Sequence, residues 1–498
     1  MIIFWQGRIE FFTLPVDSYS KLVNARGVYT FRDFVLLPGR SDIEPSSVDL
    51  AINLTPKLRL NLPLVSSPMD TVTESDMAIA LARQGGIGII HRNMPIEEQV
   101  ENAKRVKRAE SFIIRDVVTI SPIQRVSEAF DLMVKKSISG LPVVEDGDSL
   151  VGILTRRDVN FADKSEEVRE VMTSEVKVAG ADVTIDEAKQ IMHQNRVEKL
   201  PVVDRNRKLL GLITIKDVYS RERNSLASRD AEGRLLVGAS ISPFDLERAK
   251  ALEKYVDVLV SDVAHFHNVN VIEAAKRLTK EVSTEFIVGN IGTSEATKDV
   301  ISALDGKVAA IRAGVGSGSI CITSEVTKAG APTLFAVAQI AETLAEEKLN
   351  IPIIADGGIR AAGDASLALA AGASAVMMGN VFAGCTESPG GLIKIGGKYY
   401  KPYRGMGSAS SRQKRFAVDR YNQPAKGIAE GVEGVVSYRG DVQTVVEEFV
   451  GGLRAAFGYS GATSITDLWT KAKFGAVTAA GVDELKPHNI ILPGEEKI

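Results

Sequence analysis

Two cysteines are the strongest candidates for covalent chemistry in this chain, and their surroundings differ. Cys321 lies in a glycine-rich segment that runs from Gly314 to Thr323. Backbone N–H groups in such a segment can stabilise a thiolate, so we interpret Cys321 as a candidate nucleophile, with an inert core cysteine as the alternative. Cys385 lies among small residues without comparable glycines. With only these two cysteines, a disulfide framework and a four-cysteine zinc site are both excluded.

Glycine and polar residues also follow most of the short apolar runs outside residues 110–229. They are Ser66, Ser67, Met69, Asp70, Asp262, Asn290, Arg312, Gly314, Gly316, Gly318, Ser319, Asp356, Gly357, Gly358 and Gly379. Glycines in adjacent loops let backbone N–H groups close on an oxyanion, which favours a phosphate-binding site. The alternative is that these glycines only turn the chain. His265 and His267 have no third ligand in view, so we favour a structural role in the loop or a contact with a ribose over a metal.

The elements that must position these residues are eight short apolar runs. The runs span 63–67, 86–91, 235–240, 256–262, 285–290, 308–314, 351–356 and 373–379. Helical patterns follow most of them, and this alternation predicts a parallel sheet covered on both faces. Eight such units predict an α/β fold, a (β/α)8 TIM barrel, whose chemistry gathers where the strands end. An open doubly wound sheet is the alternative, but no Gly-x-Gly-x-x-Gly follows the first run, so a Rossmann site is not supported.

Residues 110–229 contain an internal repeat. Segment 141–144 (LPVV) recurs at 200–203, and a Gly-x-x-Thr-x-x-Asp motif follows each copy. Two copies are too few for a solenoid, so we expect a packed pair inserted into the barrel. The copies, about 112–170 and 171–228, resemble tandem cystathionine-β-synthase (CBS) domains, the Bateman module. The resemblance implies a regulatory adenine-nucleotide site, with helix capping alone as the alternative. Its ribose-binding residues would be Thr155, Asp158, Thr214 and Asp217.

A long segment separates the last apolar run from the next predicted helix, near Asp441. Its glycine-, basic- and tyrosine-rich sequence, at about 383–440, predicts a mobile flap on the catalytic face. The predicted domains are therefore the first part of the catalytic barrel at 1–109, the inserted CBS pair at 110–229, and the second part of the barrel with the flap at 230–498.

The composition limits the classes of protein to consider. The 498 residues include 60 basic and 63 acidic side chains, for a formal net charge of -3, so we expect no dedicated nucleic-acid site. The 45% apolar content is that of an ordinary globular protein. No uncharged apolar run reaches the roughly 18 residues of a membrane-spanning helix, and the first residues lack the basic leader of a signal peptide. We expect a cytoplasmic protein without a membrane partner.

Four motifs in combination resemble the inosine-5′-monophosphate (IMP) dehydrogenase family. They are SSPMDT at 66–71, GSIC at 318–321, ADGG at 355–358 and YRGMGS at 403–408. The resemblance runs from about residue 28 to 490 and includes the inserted pair. It implies oxidation of IMP to xanthosine monophosphate (XMP) with NAD⁺ and water, the committed step toward guanine nucleotides. It also implies a homotetramer that uses a monovalent cation, usually K⁺; pairing of tetramers into octamers is left open.

The resemblance further implies a role for each matching residue. Cys321 would attack C2 of the hypoxanthine, and Arg420 with Tyr421 would activate water, either directly or through a relay of Thr323 and Glu430. The substrate-binding residues would be Ser67, Met69, Ser319, Asp356, Gly357, Gly358, Gly379, Asn380, Tyr403, Gly405, Met406, Gly407 and Glu430. The residues that face the dinucleotide, or orient its neighbours, would be Asp262, Asn290, Arg312 and Gly314. The K⁺ ligands would be Gly316, Gly318 and Cys321, with the partner subunit's Glu484, Leu485 and Lys486.

Some positions depart from the family pattern, and two other functions compete with the dehydrogenase. Asn380 stands where Ser is usual, segment 262–267 lacks the usual glycine between its histidines, and Leu485-Lys486 replaces a common Ser-His. A guanosine monophosphate (GMP) reductase would share the barrel, the cysteine and the phosphate loops, but it has no use for the Arg420–Tyr421 pair because it consumes no water. The other alternative is a non-catalytic adenine-nucleotide sensor, against which the intact Cys321 argues.

Overall fold

Eight parallel strands close into a barrel, which confirms the predicted (β/α)8 fold. The computed structural model describes residues 25, 27–109, 113–115, 117–216, 218–219, 224–413 and 431–486. The barrel strands, β1 to β8 in chain order, are Leu64–Ser66, Ile87–Ile90, Val237–Ile241, Val258–Ser261, Glu285–Ile291, Ala310–Ala313, Ile353–Asp356 and Ala375–Met378. The barrel closes where Val376 of β8 lies in register with Leu64 of β1. Each strand falls within, or one residue beyond, one of the eight apolar runs, so the open doubly wound alternative is wrong.

The strands are apolar on both faces because each face packs against a core. One core fills the barrel, where Val65, Ile287 and Met377 meet a short hairpin that contributes Leu54 and Leu60. The other core lies between the strands and the outer helices. Inward and outward side chains alternate along each strand, as the pleat requires. The hairpin strands are Ile52–Asn53 and Arg59–Leu60.

An outer ring of helices covers the barrel. Val269–Glu281 is typical: Asn268 caps its first turn, and Val271, Ala275 and Leu278 face the barrel at helical spacing. The other helices of the ring are Ser75–Arg83, Ile96–Ala109, Leu246–Leu252, Ser294–Leu304, Thr333–Glu346, Ala362–Ala370, Val442–Ser460 and Ile465–Lys471. Shorter helices span Phe31–Asp33, Pro45–Ser47, Thr323–Thr327, Asn380–Ala383 and Gly481–Glu484. Strand Phe34–Leu36 pairs antiparallel with Phe474–Ala476. None of the described helices is long and apolar enough to cross a membrane.

The repeat folds as two matching halves that share an edge. Each half has a hairpin and flanking helices. The strands are Gly140–Glu145, Ser149–Thr155, Lys199–Val203 and Leu209–Thr214, and the helices are Val126–Lys135, Arg156–Phe161, Val168–Val171 and Ile185–Asn195. Between the halves, the Leu150 N–H donates to the Arg207 carbonyl at 3.0 Å, and the Leu209 N–H donates to the Asp148 carbonyl at 2.8 Å. The two copies therefore form one packed pair, as the repeat predicts.

A buried cluster of charged residues ties the chain together where it leaves and rejoins the barrel. Lys107, two residues before the end of its helix, donates to Asp230 at 2.9 Å and to both carboxylate oxygens of Asp257 at 2.7 Å. Asp230 follows the insert, and Asp257 immediately precedes β4. Nearby, the Ser228 N–H donates to the Ala82 carbonyl at 2.8 Å. Residues from about 228 onward therefore belong structurally with the barrel; the predicted domain limits themselves remain a prediction.

The segment predicted as a flap contains an antiparallel sheet. Its strands are Ile393–Ile395, Lys398–Arg404 and Glu433–Ser437, and a short helix spans Ala409–Gln413. The middle strand carries Lys401, which is 2% exposed. Its ammonium donates to the carbonyls of Ser388 at 2.8 Å and of Gly390, and it lies 3.4 Å from the Thr386 carbonyl. This buried cation fixes the strand to the turn that follows the barrel. The mobility of the flap remains a prediction.

Candidate functional site

A cavity of about 510 Å³ lies where the barrel strands end. The barrel brings together, from loops far apart in the chain, the described residues that the sequence assigned to catalysis, the nucleotide substrate and the dinucleotide, with the glycines proposed for K⁺. Those that line the cavity are Ser67, Met69, Asp262, Asn290, Arg312, Gly314, Gly316, Gly318, Ser319, Cys321, Thr323, Asp356, Gly357, Gly358, Gly379, Asn380, Tyr403, Gly405, Met406 and Gly407. The carboxyl ends of a parallel barrel are where such a convergence is expected.

Cys321 is the candidate nucleophile, and it lies in the loop after β6. It is a free, half-buried thiol. Its backbone N–H donates to the Gly318 carbonyl at 3.0 Å, which closes a tight turn, and its thiol donates to Thr323 Oγ1 at 3.2 Å. Thr323 begins the helix Thr323–Thr327. The sulfur therefore combines access to the cavity with a hydroxyl neighbour that could move a proton.

Cys385 differs in every respect that matters for reactivity. It is fully buried against the outer helices. Burial, with the nearby carboxylate of Glu387, raises the pKa of its thiol to about 12. A neutral, enclosed thiol is a poor nucleophile, as expected from its sequence context.

Asp356, at the end of β7, is held by the two neighbouring strands. Arg312 from β6 donates to Asp356 Oδ2 at 2.7 Å, and the Asn290 amide from β5 donates to the same oxygen at 2.8 Å. A second guanidinium nitrogen of Arg312 donates to the Ser261 carbonyl at 2.6 Å. Because Oδ2 takes both contacts, Oδ1 is the oxygen with fewer partners, and a ligand with paired hydroxyls could use it.

Glycines and one tyrosine shape the other side of the cavity. Gly357 and Gly358 have φ of +91° and +77°, which only glycine adopts at low cost. At Gly379, a Cβ would lie 2.9 Å from both the Met69 sulfur and the Tyr403 hydroxyl. Burial raises the pKa of Tyr403 to about 12, against the opposing hydrogen bond with Ser319, so this hydroxyl stays protonated and can donate. These backbone and hydroxyl donors suit a phosphate.

Asp262 lines the cavity but is already engaged. It is 2% exposed and forms an ion pair with Arg92, itself 1% exposed. Arg92 Nε lies 3.2 Å from Asp262 Oδ2, and another guanidinium nitrogen donates to the Asp262 carbonyl at 3.0 Å. Of the two roles that the sequence left open for Asp262, this contact suits orientation of its neighbours better than direct contact with a dinucleotide.

The flap meets the cysteine loop through backbone hydrogen bonds. The Val432 N–H donates to the Ile320 carbonyl at 3.2 Å, and Gly431 forms an antiparallel bridge with Cys321. Gly405, on the other side of the flap, donates to the Val432 carbonyl at 3.0 Å. The cysteine loop and the flap are thus parts of one continuous backbone network.

Several predicted residues lie outside this geometry. Arg420, Tyr421, Glu430 and Asp217 are outside the described residues. Glu484, Leu485 and Lys486 are exposed at the end of a short helix. The described part of the chain contains no cluster of three or more metal-ligating His, Cys, Asp or Glu side chains, and His267 instead contacts Asp299 at 2.8 Å.

In the inserted pair of repeats, Asp158 is used for capping. Its carboxylate accepts from the Thr155 N–H at 2.8 Å and from the Thr155 hydroxyl at 2.6 Å. These contacts cap the helix Arg156–Phe161. They do not exclude a nucleotide, because the carboxylate has a second oxygen.

The sequence analysis missed several residues that hold the cavity-lining residues in place through hydrogen bonds. Thr333 donates to the Asp356 carbonyl at 2.8 Å and contacts the Ser317 hydroxyl at 2.7 Å. Arg92 and Asn93 follow β2, and Arg404 lies inside a motif that was recognised. A charged residue directly after the run at 86–91 was the signal that could have identified Arg92.

Known proteins resemble this chain in sequence and in fold over nearly its whole length. Residues 28–488 match the model of the family described as "IMP dehydrogenase / GMP reductase domain". The chain is 55% identical over 463 residues to inosine-5'-monophosphate dehydrogenase of Korarchaeum cryptofilum, covering 93% of this chain and 96% of that protein. It is 48% identical over 491 residues to the enzyme of the same name from Methanocaldococcus jannaschii, covering 96% and 98%. Among solved structures, a GMP reductase variant from Trypanosoma brucei in complex with guanosine 5'-monophosphate has a TM-score of 0.85 at 36% identity, covering 95% of this chain and 100% of that chain.

The fold and the site place the chain in the class of (β/α)8-barrel oxidoreductases. Within that class, the chain belongs to the IMP dehydrogenase / GMP reductase family.

Proposed function

We propose that this chain oxidises IMP to XMP with NAD⁺ and water through a covalent intermediate on Cys321. The observation that carries the proposal is the accessible sulfur of Cys321 in one cavity with Asp356 and the glycines after β7 and β8. The identity of 55% to an enzyme named as the dehydrogenase supports the same reaction.

The chemistry divides one difficult step into two. The Cys321 thiolate adds to C2 of the hypoxanthine, and a hydride leaves C2 for the nicotinamide of NAD⁺, which gives NADH and a thioimidate on the enzyme. Water then adds to C2, the carbon–sulfur bond breaks, and XMP leaves with the thiol restored. The Thr323 hydroxyl, 3.2 Å from the sulfur, is placed to exchange a proton with it.

The nucleotide would lie with its ribose on Asp356 and its phosphate on the glycine loops. Donors for the phosphate are the backbone of Gly358 and Gly379 and the hydroxyls of Ser319 and Tyr403. Asn380, at the start of the helix Asn380–Ala383, offers an amide beside them. The remaining substrate contacts would be Ser67, Met69, Gly357, Gly405, Met406, Gly407 and, from the flap, Glu430.

The dinucleotide would occupy the side of the cavity formed by Asp262, Asn290, Arg312 and Gly314. One observation supports this fit: Arg312 Nε is buried and has no hydrogen-bond partner among the described residues. A buried donor without an acceptor is costly, so a polar group of a ligand at this position would be stabilising.

A monovalent cation such as K⁺ would fit the carbonyl oxygens of the cysteine loop. Oxygen ligands suit a hard cation. Gly316, with φ of +73°, and Gly318, whose carbonyl also accepts from the Cys321 N–H at 3.0 Å, would supply two of these carbonyls. With Cys321 and the partner subunit's Glu484, Leu485 and Lys486, they would hold the ion and so fix the loop's conformation; this arrangement requires the proposed homotetramer.

Hydrolysis would depend on Arg420 and Tyr421 of the flap. The guanidinium pKa is ordinarily above about 12, so Arg420 needs either an unusual environment to act as the base or a relay through Thr323 and Glu430. The CBS pair would bind adenine or guanine nucleotides as regulators. We further propose a cytoplasmic location for the enzyme.

GMP reductase is the second candidate, because solved structures similar to the chain carry that name at 34–36% identity. The two reactions are separated by one experiment. We expect NADH to form when the protein receives IMP, NAD⁺ and K⁺, and no NADPH to be consumed with GMP. Consumption of NADPH with GMP and no NADH from IMP would overturn the proposal. Absence of both activities, and of any label on Cys321 from 6-chloropurine ribotide, would indicate a nucleotide sensor.

A further inference from the structure

Two side-chain hydroxyls join the cysteine loop, which runs from Gly314 to Cys321, to the end of β7. Ser317 lies in that loop, and Thr333 begins the outer helix between β6 and β7. The Thr333 hydroxyl donates to the Asp356 carbonyl at 2.8 Å and lies 2.7 Å from the Ser317 hydroxyl. Because a carbonyl can only accept, the single proton of Thr333 goes to Asp356, and Ser317 donates to Thr333. We call this chain of two hydrogen bonds the hydroxyl clamp.

The clamp lies where the backbones of two loops meet. A Cβ at Gly314 would lie 2.6 Å from Thr333 Oγ1 and 2.7 Å from the Asp356 carbonyl oxygen. A Cβ at Gly357 would lie 3.0 Å from Ser317 Oγ and 3.1 Å from a backbone nitrogen of the cysteine loop. Glycine on both sides therefore lets the loops approach closely, and the two hydroxyls occupy the space between them. Thr333 is 2% exposed, so water has little access to its hydroxyl.

Each side of the clamp carries a different part of the site. The cysteine loop carries the Cys321 sulfur, and β7 ends at Asp356, whose carboxylate is the proposed ribose contact. That carboxylate is held independently, by Arg312 at 2.7 Å and by Asn290 at 2.8 Å. Loss of the clamp would therefore leave the carboxylate in place and release the loop that carries the sulfur.

We infer that Thr333 is a positioning residue, which sets the distance between the Cys321 sulfur and a nucleotide held on Asp356. The inference rests on the proposed function. Thr333 lines the cavity, but the proton of its hydroxyl is already committed, so we expect it to act through its neighbours. Displacement of a reacting group by about 1 Å can slow a step roughly 100-fold. The nucleotide should still bind, because Asp356 and the glycines after β7 and β8 do not depend on the clamp.

The test is Thr333→Val in the full-length protein, which keeps the shape of the side chain and removes the hydroxyl. Rapid mixing with saturating IMP and NAD⁺ reports attack by the sulfur and hydride transfer as a burst of NADH. We expect the rate constant of this burst to fall between about tenfold and about 100-fold. Labelling of Cys321 by iodoacetamide without nucleotide should not slow. The IMP concentration that gives half protection from this label should stay within about threefold of the parent value.

Thr343→Val is the matched control. Thr343 lies on the same helix and is 1% exposed, but its hydroxyl donates at 2.7 Å to the Gln339 carbonyl of that helix. This substitution should change none of the three measurements. Thr333→Ser keeps a hydroxyl at the clamp and should restore the burst. Ser317→Ala breaks the clamp from the loop side and should reproduce the slow burst, including the case in which the Thr333→Val protein fails to fold.

Three results would contradict the inference or its basis. An unchanged burst in either folded clamp variant would overturn the inference. A parallel fall in iodoacetamide labelling or in protection by IMP would also overturn it, because general damage to the site, and not a displaced sulfur, would then explain the slow burst. A parent protein that forms no NADH from IMP and NAD⁺ would instead overturn the proposed function.

Discussion

Cys321 and Cys385 are both free thiols, yet we expect them to differ in reactivity because Cys385 is buried and Cys321 is not. At pH 8 we expect iodoacetamide to modify Cys321 in the native protein and to leave Cys385 untouched, because the Cys385 thiol is enclosed and its pKa is raised to about 12. Since a raised pKa delays ionisation, Cys385 should become reactive only as the pH approaches that value or when the protein unfolds. Peptide mapping by mass spectrometry measures both sites in one sample.

Saturating IMP is the control for this labelling. It should protect Cys321 and leave the pattern at Cys385 unchanged, because only the first thiol lines the cavity. Modification of Cys385 at the same rate as Cys321 in folded protein would contradict the buried environment described here.

At the scale of single residues, the sequence predicted those site residues whose neighbours in the chain form a recognisable pattern. It missed residues whose partners lie far away in the chain. Cys321 and the glycines were identifiable because their neighbours in the chain carry the signal. Asp70 stands in a recognised motif, but its partner Arg404 lies 334 residues away. The partner of Arg92 is Asp262, 170 residues away. No local pattern specifies such pairs, since only closure of the barrel brings them into contact.

Among the elements, the middle flap strand depends on a single buried cation. Lys401→Met should remove the donor for three backbone carbonyls and leave them unsatisfied, at a cost of roughly 2–4 kcal/mol. We expect faster amide hydrogen exchange in residues 386–404, with little change in the barrel strands.

Lys398→Met is the matched control, because Lys398 lies on the same strand and is exposed. It should leave exchange unchanged. If Lys401→Met exchanged no faster than this control, the three carbonyl contacts would contribute nothing to the stability of the strand.

The elements also show why some structure was predictable and some was not. The barrel strands are buried on both faces, so their apolar runs stand out in the sequence. The flap strand Ile393–Ile395 is exposed along its whole length and therefore carries no burial pattern. The sequence predicted a long segment between the last barrel strand and the next helix. The three-stranded sheet within that segment was found only from the structure.

For the whole molecule, the buried cluster around Lys107 predicts that the inserted pair of repeats can be removed. Deleting residues 110–224 and joining the ends with a short Gly/Ser linker should keep the turnover of IMP within about twofold. Contacts that hold the barrel on both sides of the cut remain, namely Lys107 with Asp230 and Asp257, and Ser228 with the Ala82 carbonyl. Any response of turnover to ATP or GTP should disappear.

Steady-state assays of the full chain and the shortened chain, each titrated with ATP and with GTP, measure the turnover of IMP and its response to the nucleotides. Lys107→Met in the shortened chain is the informative variant, because it leaves the buried carboxylate of Asp257 without its cation, while Asp230 keeps its ion pair with Arg234, and it should destabilise the barrel. A shortened chain that is well folded but inactive would show that the pair takes part in catalysis itself.

The closure at Lys107, Asp230 and Asp257 has an evolutionary corollary. A gene coding for this barrel could exchange the inserted pair for another module at the same junction, because these contacts close the barrel on both sides of the insert. Selection could then change the insert while the residues around the cavity stay the same.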